Sequence, residues 1–161
     1  MTRPLYQNVA GESMEKLLTL AITSGFFVEG EPKPKGSLRP VGRRGHKVRM
    51  IEDIAGSSGW RARMAEAFAS AHGNRPTITG GVFTITLFIL PKFRTSKRVW
   101  PILRSDYDID KLARNVNDAL VDARVLEDDS RIVWSAQGKL YPLHSTDPTG
   151  VYVCILPMDS D

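Results

Sequence analysis

Aspartates recur in the second half of this chain at spacings suited to work on phosphate esters. Asp108-Ile-Asp110 opens a stretch with helical periodicity, Asp118 lies within it, and Asp128-Asp129 follows it. Carboxylates gathered in one place hold hard cations such as Mg²⁺, which prefers near-octahedral oxygen ligation by a few carboxylates and several waters. Such an ion activates a water and stabilises charge on a leaving oxygen, and two ions in one site would lie about 3.5–4 Å apart. In an extended segment Asp108 and Asp110 point to one side. If the strand after the helix returns Asp128-Asp129 beside Asp108, the chain holds a three-carboxylate site. The same residues have a plainer reading. Asp108 suits a helix N-cap, Asp110 a first turn facing the helix dipole, and Asp128-Asp129 an acidic turn.

Charge around these aspartates is segregated. Residues 32–49 carry seven basic side chains (Lys33, Lys35, Arg39, Arg43, Arg44, Lys47, Arg49) and no acid. Residues 92–104 carry five more (Lys92, Arg94, Lys97, Arg98, Arg104), again with no acid. Residues 106–129 reverse the balance, with eight acids against three bases. Two basic runs bracketing a carboxylate cluster form the footprint of a phosphate-tracking surface around a metal site. Taken singly, each run reads as well as a solvated loop.

Helical spacing of Ile109, Leu112, Ala113, Val116, Ala119, Leu120 and Ala123 predicts an amphipathic helix from about 109 to 124. Val82 to Leu90, β-branched and aromatic, is the clearest strand, ended by Pro91. Residues 92–104 form the loop at its exit, where Trp100 either stacks on a base or anchors the loop. Ser13 suits the cap of a short helix carrying Met14, Leu17, Leu18, Ala21 and Ile22. Ser58 suits the cap of another from about Trp60 to His72, with Trp60, Met64, Ala67, Phe68 and Ala71 on one face. Further strands are expected at 26–29, 47–51, 132–135 (with a continuation to 141 after a turn at Gln137-Gly138) and 151–156. The prolines and glycines of Gly30 to Pro40 predict an extended basic loop.

The 161 residues fit one domain with its own core. The hydrophobic fraction of 42% and charged fraction of 25% are those of an ordinary soluble globular protein. The lone Cys154 excludes an internal disulfide and a Cys-based zinc site, and its strand position suits a buried thiol. His46, His72 and His144 are too scattered to suggest a His-based site. No apolar run spans a bilayer, the longest being 17–27, and the N-terminus lacks a signal-peptide pattern. The expectation is a cytoplasmic protein.

Residues 108–133 resemble the RusA-type Holliday junction resolvases of phages and prophages. The family pattern is an Asp-x-Asp at a helix head, an Asp-Ala-Leu within the helix and an Asp-Asp pair after it. Here these are Asp108-Ile-Asp110, Asp118-Ala-Leu120 and Asp128-Asp129. Upstream, residues 30–37 resemble the family's Pro/Lys loop, and Lys139 sits where the family often has a basic residue. The resemblance is specific in 108–133 and loose elsewhere within 26–157.

The resemblance implies an α+β domain over 25–158 with a mixed sheet and two main helices, preceded by a 1–24 extension. It implies a homodimeric, Mg²⁺-dependent endodeoxyribonuclease (Mn²⁺ being an alternative ion) that nicks four-way DNA symmetrically. The implied metal ligands are Asp108, Asp110 and Asp129, with Asp128 beside them. No organic cofactor or membrane is implied, and a phage-encoded chain would work in its host's cytoplasm. The family's functional Lys, one turn after the second Asp, is Arg114 here, and its usual Asn is Lys111. Arg holds a phosphate but does not shuttle a proton. Expected nucleic-acid contacts are Lys33, Lys35, Arg39, Arg43, Arg44, Lys97, Arg98, Lys111 and Lys139, with Arg114 and Lys139 at the scissile phosphate. Two other functions stay open: a non-catalytic binder of branched DNA, and a metal-dependent nuclease acting on flaps, forks or RNA.

Overall fold

The computed structural model describes residues 12–36, 38–45, 47–52, 55–92 and 97–158. The elements run α1 (Glu12–Ser24), β1 (Phe26–Glu29), β2 (Leu38–Arg44), β3 (Lys47–Glu52), α2 (Ser57–His72), β4 (Val82–Ile89), α3 (Ile109–Asp122), β5 (Ile132–Leu140) and β6 (Gly150–Pro157). The expected α+β class with a mixed sheet holds. A third helix, α1, nearly matches α3 in length.

The main sheet has four strands in the order β1-β6-β4-β5. Strands β1 and β4 pair antiparallel with β6, whereas β4 and β5 are parallel, Val82 facing Ile132 and Ile89 facing Leu140. A parallel pair needs a long crossover, and here it consists of residues 90–131 with α3 inside it. Helix α3 therefore runs antiparallel to both strands. This topology fixes which residues can meet: the exits of β4 and β5 lie at the head of α3, and the start of β5 lies at its tail.

Alternation along β4 sends side chains to two apolar layers. Val82 and Phe88 meet α2 and α3, packing with Met64, Phe68, Leu112, Val116, Ala119 and Leu120. Ile85 and Leu87 face the other way and pack with Ala21 of α1 and Cys154. Helix α1 thus covers part of the sheet's second face. Burial pushes the Cys154 thiol pKa upward, as expected for a structural cysteine. Among the described residues no helix is long and apolar enough to cross a membrane.

Three local expectations change. Helix α2 begins at Ser57 after Gly56, whose φ of 83° suits glycine; Ser58 is not its cap. The segment expected as a loop to Pro40 is irregular only to Gly36, and 38–44 pairs with 47–52 as a separate hairpin. Pro40 is tolerated there because the register shifts between Pro40 and Gly42. Strand β5 extends without a break to Leu140, its ladder supplied by β4.

Candidate active site

Asp108 occupies the N-cap position of α3 with extended backbone, and Asp110 lies in the first turn. An N-cap aspartate ordinarily accepts a hydrogen bond from the second or third helical N–H. The Asp108 carboxylate makes no such bond. It is 72% exposed, and the Asp110 side chain 59%, so the capping alternative leaves both carboxylates unspent. Each faces a cation of its own helix. Lys111 Nζ lies 3.8 Å from Asp108, and Arg114 Nη2 lies 3.5 Å from Asp110. At that length and exposure such pairs add little stability and separate readily.

The residue between buried core and site is Tyr107. Its φ of 63° with ψ of 160° is a conformation that costs a non-glycine residue about 1–3 kcal/mol. Three contacts hold it. Lys139, on β5, donates a 2.6 Å hydrogen bond to the Tyr107 carbonyl. Lys33 Nζ lies 5.9 Å from the centre of the Tyr107 ring. Asp106, buried just before it, accepts from the Leu103 N–H at 2.8 Å and from the Tyr141 hydroxyl at 2.9 Å. Burial first, then the bond to Asp106, raises the Tyr141 pKa against an opposing pull from Arg98. Lys92 Nζ lies 5.4 Å from the centre of the Tyr141 ring. Both ends of the 92–104 run therefore return to the exit of β5.

The 31–36 segment is tied to the same helix. Lys35 N–H donates to the Lys111 carbonyl at 2.9 Å, and the buried Asn115 amide donates to the Lys33 carbonyl at 2.9 Å. A hydrogen bond to Glu31 is the largest cause raising the Lys33 pKa, so Lys33 stays a cation. Pro34, Arg104, Tyr107, Asp108 and Lys111 line one open cavity of about 280 Å³.

Asp128 and Asp129 are elsewhere. They line a second cavity with Lys35, Arg61, Asp118 and Asp122, at the tail of α3. From Asp110 to Asp122 the helix rises roughly 18 Å. Along β5, Ile132 and Lys139 are roughly 23 Å apart. Mg²⁺–oxygen bonds are about 2.0–2.1 Å, so no single ion joins Asp129 to Asp108 or Asp110 of the same chain. The return of Asp128-Asp129 beside Asp108 does not occur within one chain, because parallel pairing starts β5 at the far end. Among the described residues no three carboxylate, imidazole or thiol groups gather as a metal site. Asp128 caps the turn that follows: it accepts from Ser130 N–H at 2.9 Å, and hydrogen bonding from the Ser130 side chain first and this N–H second lowers its pKa. Asp129 is exposed, and its carboxylate has no hydrogen bond or ion pair among the described residues, although its carbonyl accepts from Ile132 N–H.

The expected nucleic-acid contacts fall into groups. Lys33, Lys111 and Lys139 converge on the head of α3, with Lys139 committed to the Tyr107 carbonyl rather than open to a phosphate. Lys35 pairs with Asp118 at 2.7 Å, and Arg61 reaches Asp118 and Asp122 at 3.5 and 3.2 Å. Arg39, Arg43 and Arg44 belong to the β2–β3 hairpin. Lys97 and Arg98 are exposed on the loop after β4, and Arg94 lies outside the described residues. Sequence reasoning missed Asp106, Tyr141 and Asn115. Asn115 carried a signal, as a polar residue in the apolar stripe of α3; the Asp106–Tyr141 bond spans 35 positions and carried none.

A sequence-family model described as Endodeoxyribonuclease RusA matches residues 29–155. The chain belongs to this family. The match runs from the last residue of β1 into β6 and contains every aspartate discussed above, while α1 precedes it. No curated protein matches the chain. Membership in RusA supports an endodeoxyribonuclease, and the family implies one of the junction-resolving kind that binds branched DNA.

Proposed function

We propose that the protein resolves four-way DNA junctions as a homodimer, with Asp108 and Asp110 of one copy and Asp129 of the second forming each metal site. The observation that carries this reading is the pair of unspent, exposed carboxylates at the head of α3 among Lys33, Arg104, Lys111 and Arg114. Two carboxylates, waters and a phosphate oxygen form a donor set suited to Mg²⁺ or Mn²⁺, so these residues fit a hard cation. When bound, the cation supplies charge for attack of water at phosphorus.

The chain's own residues do the rest. Asp108 and Asp110 would hold the cation, and Lys111 and Arg114, now paired with them at 3.8 and 3.5 Å, would then be left for the phosphodiester. Arg114 neutralises charge on the phosphate and, permanently protonated, takes no proton. Lys139 and the Asp106–Tyr141 bond fix the Tyr107 backbone and with it the direction of Asp108. The β2–β3 hairpin and the 92–104 loop grip the arms. Phosphate contacts carry little sequence information, so junction shape dominates recognition.

A second copy is invoked because Asp129 is too far from Asp108 in its own chain. Hybrid dimers test this directly. Asp110→Asn and Asp129→Asn homodimers should both fail to cut a labelled four-way junction with Mg²⁺. Mixed and re-equilibrated, they should regain activity, because each hybrid holds one site with all three carboxylates intact. The regained product should be single nicks rather than paired ones. A mixture as inactive as its parents refutes the shared site. Wild-type cutting of linear duplex, flap and junction alike refutes the resolvase reading.

A further inference from the structure

The loop leaving β4 combines exposed apolar side chains with basic flanks. Val99, Trp100 and Ile102 are 72%, 53% and 71% exposed, three large apolar side chains within four residues. Lys97, Arg98 and Arg104 flank them, and no acid interrupts residues 92–104. Exposed contiguous apolar surface marks an interaction site, and basic flanks select an anionic partner.

The position of the loop narrows the partner. Pro101, between the exposed residues, is buried and fixes the backbone. Trp100 keeps one side against an apolar cavity lined by Met14, Leu18, Lys139 and Leu140. Lys139 is the residue bonded to the Tyr107 carbonyl, and Arg104 shares a cavity with Asp108. The apolar tip thus stands at the rim of the candidate active site.

We propose that Val99, Trp100 and Ile102 form a wedge that enters the opened centre of a branched DNA, with Trp100 stacking on a base freed there. This rests on the branched-DNA reading above and names the residues that would distinguish a branch from a linear duplex. A duplex offers phosphates but no free base face, whereas a branch point offers both. Apolar wedges enter opened base steps, and aromatic rings stack on bases without regard to sequence. A second copy of the chain is the less suitable occupant, since it would press two acid-free basic loops together.

Competition binding separates the occupants, using a four-way junction and a linear duplex in Ca²⁺ with wild type, Trp100→Ala, Trp100→Leu and Trp100→Phe. Stacking worth about 1–3 kcal/mol predicts that Trp100→Ala and Trp100→Leu weaken junction binding about 5- to 150-fold. Trp100→Phe should stay near wild type, and duplex affinity should move less than about twofold. Ile102→Ser, at a site too exposed to support the fold, should lower junction affinity in the same direction. An unchanged junction-to-duplex ratio in Trp100→Ala and Ile102→Ser overturns the wedge. So does a loss accompanied by a change of oligomeric state in sedimentation, which assigns the loop to a second copy. If wild type does not prefer the junction, the branched-DNA reading falls before any variant is tested.

Discussion

Removing one hydroxyl, by Tyr141→Phe, tests how the site is held. The Tyr141 hydroxyl gives a 2.9 Å hydrogen bond to Asp106, a carboxylate only 7% exposed whose other bond comes from the Leu103 N–H at 2.8 Å. A hydrogen bond to a charged group contributes about 1.5–3 kcal/mol, and its loss leaves a buried oxygen short of a donor. For a chain of this length about 2 kcal/mol corresponds to a fall of about 4–8 °C in Tm. Asp106 also precedes Tyr107, whose strained backbone needs over-determined surroundings to persist. Relaxing it turns Asp108, and a displacement near 1 Å at a reacting centre costs on the order of 100-fold in rate. The pH dependence gives a second readout. The Tyr141 pKa is raised in the folded chain, so its neutral form contributes stability in full below about 10. That contribution is lost as pH climbs through the raised value. The gap in Tm between wild type and Tyr141→Phe should therefore be constant from neutrality to pH 9 and narrow above pH 10. Differential scanning calorimetry across pH, beside junction cleavage at pH 7.5, reads all three effects. A variant with wild-type Tm and wild-type rate refutes the clamp.

Asn115→Ala removes the amide that donates to the Lys33 carbonyl, and should lower stability by about 1–3 kcal/mol in urea titration while loosening the 31–36 segment to proteolysis. Under the proposed reading, Lys111→Ala with Arg114→Ala removes two cations that contact phosphate, and should reduce the slope of log binding constant against log salt by about two for duplex and junction alike. Ala21→Asp places a charge where α1 is 1% exposed against Ile85, Leu87 and Cys154; it should destabilise the chain and make the buried thiol reactive to a disulfide reagent at neutral pH.

The most regular elements were legible because pattern and packing agree. The apolar stripe of α3 and the β-branched run of β4 describe both periodicity and burial. Boundaries were less so: α3 ends at Asp122 and Arg124 takes a φ of 56°, although the apolar spacing continues through Ala123. Strand β5 reaches through Ser135, Gln137 and Gly138, where local preference is weak and the pairing with β4 is non-local. The head of the candidate site was readable because Asp108, Asp110, Lys111 and Arg114 are neighbours in sequence. Asp129 was misplaced for a topological reason. Its distance from Asp108 depends on whether the following strand runs with or against β4, and no residue between 108 and 133 encodes that.

This topology bears on how the proposed enzyme cuts. Helix α3 runs antiparallel to the parallel pair β4–β5 and rises roughly 18 Å from Asp110 to Asp122, so under the proposed reading the two halves of one donor set lie at opposite ends of it. A single copy cannot fold back to join them. Two copies related by a two-fold axis can, since the contact that brings one head to one tail brings the other pair together as well. Under the proposed reading, completing one site completes both. Paired nicks on opposing strands then need no communication between subunits. A monomer, lacking either complete site, would not leave stray nicks in the duplexes it encounters.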